Sequence, residues 1–117
     1  MPVYVIFDVE IHDQARYATF MDRVKPAIEA AGARYLVRGG AHRVHEGAWS
    51  PRRLVVLEFP SAEAWDAFYT GDVYRGLKSI RERAATARLV SVDGLEPETV
   101  AQVSPPPDTS PDDGDPS

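Results

Sequence analysis

Two charged residues stand where charge is hard to keep. Arg38 closes the apolar run RYLVR (34–38), and Glu58 lies next to the end of RLVVLEF (53–59). A guanidinium and a carboxylate in a water-poor setting can do complementary work. Arg38 would bind a carboxylate or enolate oxygen, and Glu58 would accept a proton. The same two residues fit a structural ion pair around the Gly39–Gly40 bend, because either charge buried alone is strongly destabilising. Trp49, Tyr69 and Tyr74 are the aromatic residues that would line an apolar substrate pocket between sheet and helices. Aromatics at this spacing also serve as core or interface, and Trp49, set in a Gly/Pro turn, fits a subunit contact.

Other chemistries find little support. In a strand, His42 and Glu46 would share a side while His45 points away, so the three do not converge on a metal. Their spacing is not the helical HExxH pattern either, and they read as surface residues. His12, just before Asp13 at a helix start, reads as a solvated loop residue. There is no GxSxG elbow, and Gly39–Gly40 lacks the context of a phosphate-binding loop. The chain has no cysteine, which removes disulfides, thiolate catalysis and Cys-based metal sites. The expectation is a protein with no metal and no bound cofactor.

The elements that must hold these residues follow from periodicity. Residues 3–9 (VYVIFDV) are β-branched or aromatic in the main and read as a strand with Val3, Val5, Phe7 and Val9 on one face. Tyr4 and Ile6 begin the other face, so both faces are apolar and both need cover. Asp13 is placed to cap a helix running to about Ala31, with Tyr17, Phe20, Met21, Val24, Ala27, Ile28 and Ala31 on one stripe. Pro26 inside that stripe predicts a kink or a split, and Gly32 ends it. Arg34–Arg38 reads as a second strand interrupted by Gly39–Gly40, with pairing resuming near Arg43–Glu46. Residues 53–59 form the third strand, read as central. Ser61 then caps a helix carrying Trp65, Phe68 and Tyr69. Past Gly71, a further helix carries Val73, Leu77, Ile80 and Ala84 on one face, and residues 87–92 supply the last strand. The order βαββαβ is ferredoxin-like α+β, a four-stranded antiparallel sheet with helices on one face. The apolar second face points to a homodimer built sheet against sheet.

The 117 residues carry 18 acids and 13 bases. Residues 96–117 hold six of those acids, no Lys or Arg, and six of the ten prolines. Residues 1–95 therefore carry twelve acids against thirteen bases, a near-neutral body with no electrostatic footprint for nucleic acid. We expect an ordered domain over residues 1–95 and a disordered, acidic, Pro-rich tail over residues 96–117 that serves solubility. No apolar run is long enough to span a membrane. The opening MPVYVIFDVE lacks a basic leader region, so a cytoplasmic protein is expected.

The run from Tyr35 to Ser61 carries a family resemblance. Arg38-Gly39-Gly40, Glu46-Gly47, Trp49, Pro51, Arg53 and Glu58-Phe59-Pro60-Ser61 resemble the domain of unknown function 1330 family, and the likeness continues more weakly through Phe68-Tyr69, Tyr74 and Arg81. It covers about residues 2–95. Phe68 departs from the pattern, where a Trp often precedes the Tyr. The resemblance implies a ferredoxin-like fold and a homodimeric α/β barrel, without an assigned reaction. Related dimeric α/β barrels include cofactor-free monooxygenases, lactone isomerases, polyketide cyclases and haem-degrading enzymes. Two functions stay open: a cofactor-independent enzyme acting on a small apolar metabolite by proton transfer, cyclisation or oxygenation, or a non-catalytic dimeric module that binds a metabolite or a protein partner.

Overall fold

Strand β1 (Val3–Ile11) alternates strictly between buried and half-buried residues from Val3 to Val9. That period of two makes one face of it core and leaves the other to be covered differently. In the computed structural model, which describes residues 1–95, the chain continues through α1 (Gln14–Ala30), β2 (Arg34–Arg38), β3 (Leu54–Phe59), α2 (Ala62–Thr70), α3 (Asp72–Ala84) and β4 (Ala85–Asp93). The strands form one sheet in the order β2-β3-β1-β4, with every neighbouring pair antiparallel. This is the expected ferredoxin-like α+β arrangement, its second helical region in two pieces. β1 and β3 are the two inner strands. The tail expected over residues 96–117 lies outside the described residues.

Register sorts the sheet into two faces. Val3, Val5 and Phe7 of β1 lie beside Phe59, Leu57 and Val55 of β3, and all six are buried under the helices. Helix α1 supplies Tyr17, Phe20, Val24 and Ile28 to the same core. It starts where expected, since the Asp13 carboxylate accepts from the Arg16 backbone N–H at 3.1 Å and satisfies one of the helix's free donors. Pro26 does not split it. The proline is exposed, so the carbonyl left without a partner one turn earlier can meet water instead of core. Ser61 caps α2 as expected, its Oγ accepting from the Ala64 N–H at 3.0 Å. Gly71 then permits the break into α3, because a Cβ there would stand 2.8 Å from the Ala67 carbonyl oxygen.

Two expectations change. The buried face of α3 is Tyr74, Arg81 and Ala84, while Val73 is 68% exposed. The helix is rotated about one position from the purely aliphatic stripe, and Tyr74 packs against the Phe68 and Tyr69 rings of α2, at 4.8 and 5.7 Å. Pairing does not resume at Arg43–Glu46, since β2 is the edge neighbour of β3 and ends with it. Gly39 N–H bonds to Leu54 C=O at 2.8 Å, at the first residue of β3, so no strand edge is left for residues 43–46. Residues 41–50 are exposed instead. Among the described residues, no helix is long and apolar enough to cross a membrane.

Candidate functional site

A small irregularity in β2 decides where its charges go. The register against β3 runs Arg34–Glu58 and Tyr35–Leu57, then resumes at Val37–Val56 and Arg38–Val55, leaving Leu36 unpaired. Such a bulge shifts the phase of alternation by one residue. Arg34 and Glu58 therefore share the open face and pair there, with Arg34 Nε donating to Glu58 Oε1 at 2.6 Å. Arg38 is turned to the helix face, where its guanidinium lies 5.1 Å from the centre of the Tyr35 ring. The expected Arg38–Glu58 pair is thus not formed, and the two side chains sit on opposite faces of the sheet. Sequence alternation alone would have placed Arg38 beside Arg34. The bulge reverses that.

Trp49 is 60% exposed. It reaches the open face, where it helps line a groove of about 280 Å³ with Ile6, Leu54 and Val90. Tyr69 and Tyr74 belong to the helix layer, their rings 5.7 Å apart. Tyr69 is half-buried, stacks near Trp65, and its hydroxyl accepts from Lys78 Nζ at 3.3 Å. The three aromatics therefore do not meet in one pocket. Tyr74 alone reaches the space between sheet and helices.

That space is a cavity of about 30 Å³, walled by the apolar residues of β1, β3 and α1. Its polar groups are Tyr17 of α1, Tyr35 of β2, and Tyr74 and Arg81 of α3. Tyr74 and Arg81 are seven residues apart, two helical turns, so both project from one side of α3. The Arg81 guanidinium is 4% exposed and donates to the Tyr74 hydroxyl oxygen at 2.7 Å. Burial pushes the phenol pKa of Tyr74 upward, with the Arg81 charge opposing it. Burial also raises Tyr35, against the pull of Arg38. Both phenols stay protonated at neutral pH and keep a donor to offer. The buried Tyr35 hydroxyl, Arg81 Nε and Arg53 Nε have no hydrogen-bond partner among the described residues.

A second guanidinium sits near the same wall. Arg53 lies 5.8 Å from the centre of the Tyr17 ring and against Gly39. Gly39 has φ +74°, which favours glycine, and a Cβ there would push the end of the Arg53 side chain aside. The histidines are placed separately. His42 Nε2 donates to the Pro51 carbonyl at 2.9 Å and staples the long loop, His12 bonds Thr86 Oγ1 at 2.8 Å, and His45 is exposed. Arg81 and Arg53 escaped the sequence reading as site residues. The available signal was an arginine on a helical stripe otherwise made of Tyr74, Leu77 and Ala84, at steps of three and four residues.

A family model described as domain of unknown function (DUF1330) matches residues 2–95. No curated protein matches the chain. Among solved structures, the chain is similar to a protein of unknown function from Rhodopseudomonas palustris, with 19% identity, a TM-score of 0.66, and 82% of this chain and 84% of that one covered. It is also similar to a dimeric ferredoxin-like protein of unknown function from Jannaschia sp. CCS1, at 13% identity and a TM-score of 0.57 over 80% of this chain and all (100%) of that one. SnoaB, a cofactor-independent oxygenase from Streptomyces nogalater, aligns at 11% identity and a TM-score of 0.52, with 81% of this chain and 94% of that one covered. At these identities the likeness establishes the fold.

Proposed function

The chain belongs to the DUF1330 family, and on that premise we propose that it is one subunit of a homodimeric, cofactor-independent enzyme acting on a small, largely apolar metabolite by proton transfer, cyclisation or oxygenation. The observation that carries this reading is the cavity between sheet and helices. Its walls are apolar, yet four polar side chains line it and one phenol hydroxyl there has no partner. A pure packing defect gains nothing from such groups, whereas a substrate site uses a few placed polar atoms to fix orientation. SnoaB shares the fold and is described as a cofactor-independent oxygenase, which is compatible with this class.

In this reading Tyr74 contacts substrate directly and Tyr69 supports its ring from behind. Arg38 contributes positive charge near the Tyr35 wall. Glu58 and Trp49 serve the subunit interface. The homodimer is supported by the apolar open face and by the dimeric Jannaschia protein of the same fold. Residues 1–95 are the functional unit, and the acidic segment 96–117 promotes solubility.

A second reading, a dimeric module that binds a metabolite without turning it over, is favoured by the cavity's small size. About 30 Å³ is nearly filled by side chains. Incubating the full chain with a pool of small metabolites, followed by mass spectrometry of retained and consumed compounds, separates the two. A compound both retained and converted supports the enzyme. A compound retained unchanged supports the module. Retention of nothing by the wild-type chain removes both. Sedimentation equilibrium at micromolar concentration should give twice the chain mass, and a monomer there would end the dimer proposal.

A further inference from the structure

Arg81 is the one buried charged residue among those described. Of its guanidinium, one amine donates to Tyr74 while Nε has no partner. Among the described residues, every ion pair formed by arginine involves Arg16, Arg34, Arg52, Arg75 or Arg88. No carboxylate neutralises Arg81. Its neighbour in α3, Glu82, is exposed and makes no ion pair, as is true of Glu29 near Tyr35. The other cations near this wall, Arg38 and Arg53, lie over the rings of Tyr35 and Tyr17 and also lack carboxylate partners. The C-terminal end of α3 offers Arg81 a partial negative charge, a compensation of well under a full charge.

A buried guanidinium with an unfilled donor is costly unless something supplies an anion. The Tyr74 oxygen accepts from Arg81, so its own O–H remains free to donate. The unpartnered Tyr35 hydroxyl lines the same cavity. These are three uncommitted donors, Arg81 Nε–H, Tyr74 O–H and Tyr35 O–H, around an apolar space whose described lining includes no carboxylate.

We propose that Arg81, Tyr74 and Tyr35 form an oxyanion site, and that the ligand of the cavity is a small apolar molecule carrying one anionic oxygen group, a carboxylate or an enolate. The inference rests on the cavity being the functional site and adds the charge of what enters it. Arg81 binds the anion by a charge-assisted hydrogen bond, and the two phenols complete its coordination. As it stands the cavity accommodates little more than water, so entry of the apolar body requires side chains to yield. Met21, half-buried in the wall and with three rotatable bonds, is the readiest to move.

The test compares matched probes on the full chain: butyrate against butyramide, and benzoate against benzamide. Binding is followed by titration and by the Arg81 Nε–H resonance in nitrogen-edited NMR. The carboxylates should bind at least about tenfold more tightly than their amides and shift the Arg81 resonance. In Arg81→Met that preference should collapse to about one. The variant should nonetheless unfold at the same or a higher temperature, because an unneutralised buried charge has been replaced by an apolar chain of similar shape. Equal binding of acids and amides by the wild-type chain would overturn the oxyanion site while leaving an apolar binding cavity intact. Absence of binding by either class would overturn the cavity reading and this inference together. A carboxylate preference that survives Arg81→Met would place the anion elsewhere. If Arg81→Met does not fold, Arg81 is needed for structure, and the wild-type resonance decides: an Nε–H signal unmoved by saturating carboxylate overturns the site. Tyr74→Phe, which keeps the ring, should weaken the carboxylates and not the amides.

Discussion

The two faces of the sheet are built from alternate residues of the same strands, yet they solve different problems. On the covered face Val3, Val5, Leu57 and Phe59 meet α1, α2 and α3 and are buried. On the open face Tyr4, Ile6 and Val56 of the inner strands continue into Val37 on one side and Val90 and Val92 on the other. Val90 and Val92 remain 58% and 50% exposed. The apolar strip is bordered by two ion pairs, Arg34–Glu58 at 2.6 Å and Arg88–Asp8 at 2.7 Å. The covered face uses its hydrophobicity within one chain, and among the described residues the only charge buried there is that of Arg81. The open face leaves its apolar strip exposed within the single chain and borders it with charges, which in the proposed homodimer would set orientation. In the proposed homodimer, the difference gives stability to one face and association to the other.

That division breaks most visibly at Phe59. It is fully buried, with the Trp65 ring 5.2 Å and the Phe68 ring 5.4 Å away. Phe59→Ala should cost about 3–5 kcal/mol in urea unfolding. A loss below about 1 kcal/mol would mean that the covered face is not the core. On the other face, Val90→Asp should weaken self-association by roughly 10- to 100-fold, about 1.4–2.8 kcal/mol, because two-fold symmetry places the new carboxylate in the interface twice. Monomer stability should change by no more than about 0.5 kcal/mol, as for other exposed sites. If sedimentation shows the same mass for Val90→Asp as for the wild type, the open face is not the contact.

Smaller effects sharpen the contrast. The Asp8 carboxylate accepts from the Arg52 backbone N–H at 2.8 Å and from the Arg88 guanidinium at 2.7 Å, and these bonds hold its pKa below the ordinary aspartate range. A lowered native pKa means that the stabilisation is complete above the unfolded value of about 3.9 and is lost as pH falls through the native value. Asp8→Asn should therefore flatten the acid limb of stability, measured by urea midpoints from about pH 2.5 to 6, and leave the neutral-to-alkaline limb unchanged. An unchanged acid limb would show that these bonds do not favour the ionised form. The smallest effect is expected for Arg34→Gln. Its partner pairing is close, but the arginine side chain is 72% exposed, so about 0–1 kcal/mol is at stake.

The sequence carried the covered face almost completely. The period-two pattern of residues 3–9, the α1 stripe and the caps at Asp13 and Ser61 all appear where periodicity and capping chemistry put them. The candidate site was legible only in part. Tyr74 was read as pocket-lining, and it does reach the cavity. Arg38 and Glu58 read as partners around the Gly39–Gly40 bend, and one unpaired residue in an edge strand separates them. Arg81 was hidden for the opposite reason. A charged residue on a helix is normally a solvated one, and only tertiary packing against Tyr74 reveals that this one faces inward.

The same unpaired Leu36 has a consequence for how assembly ends. An edge strand with regular hydrogen-bonding groups is a template on which further chains can stack without limit. β2 offers only five residues, broken in the middle and bounded by arginines at both ends. Strand-by-strand extension is blocked on that side. In the proposed homodimer the apolar strip packs face against face, a contact that closes once two copies have met and does not use the β2 edge. Deleting Leu36 would restore an unbroken edge, and the cost would be read as turbidity and fibres at high concentration, not as a change in the cavity's chemistry.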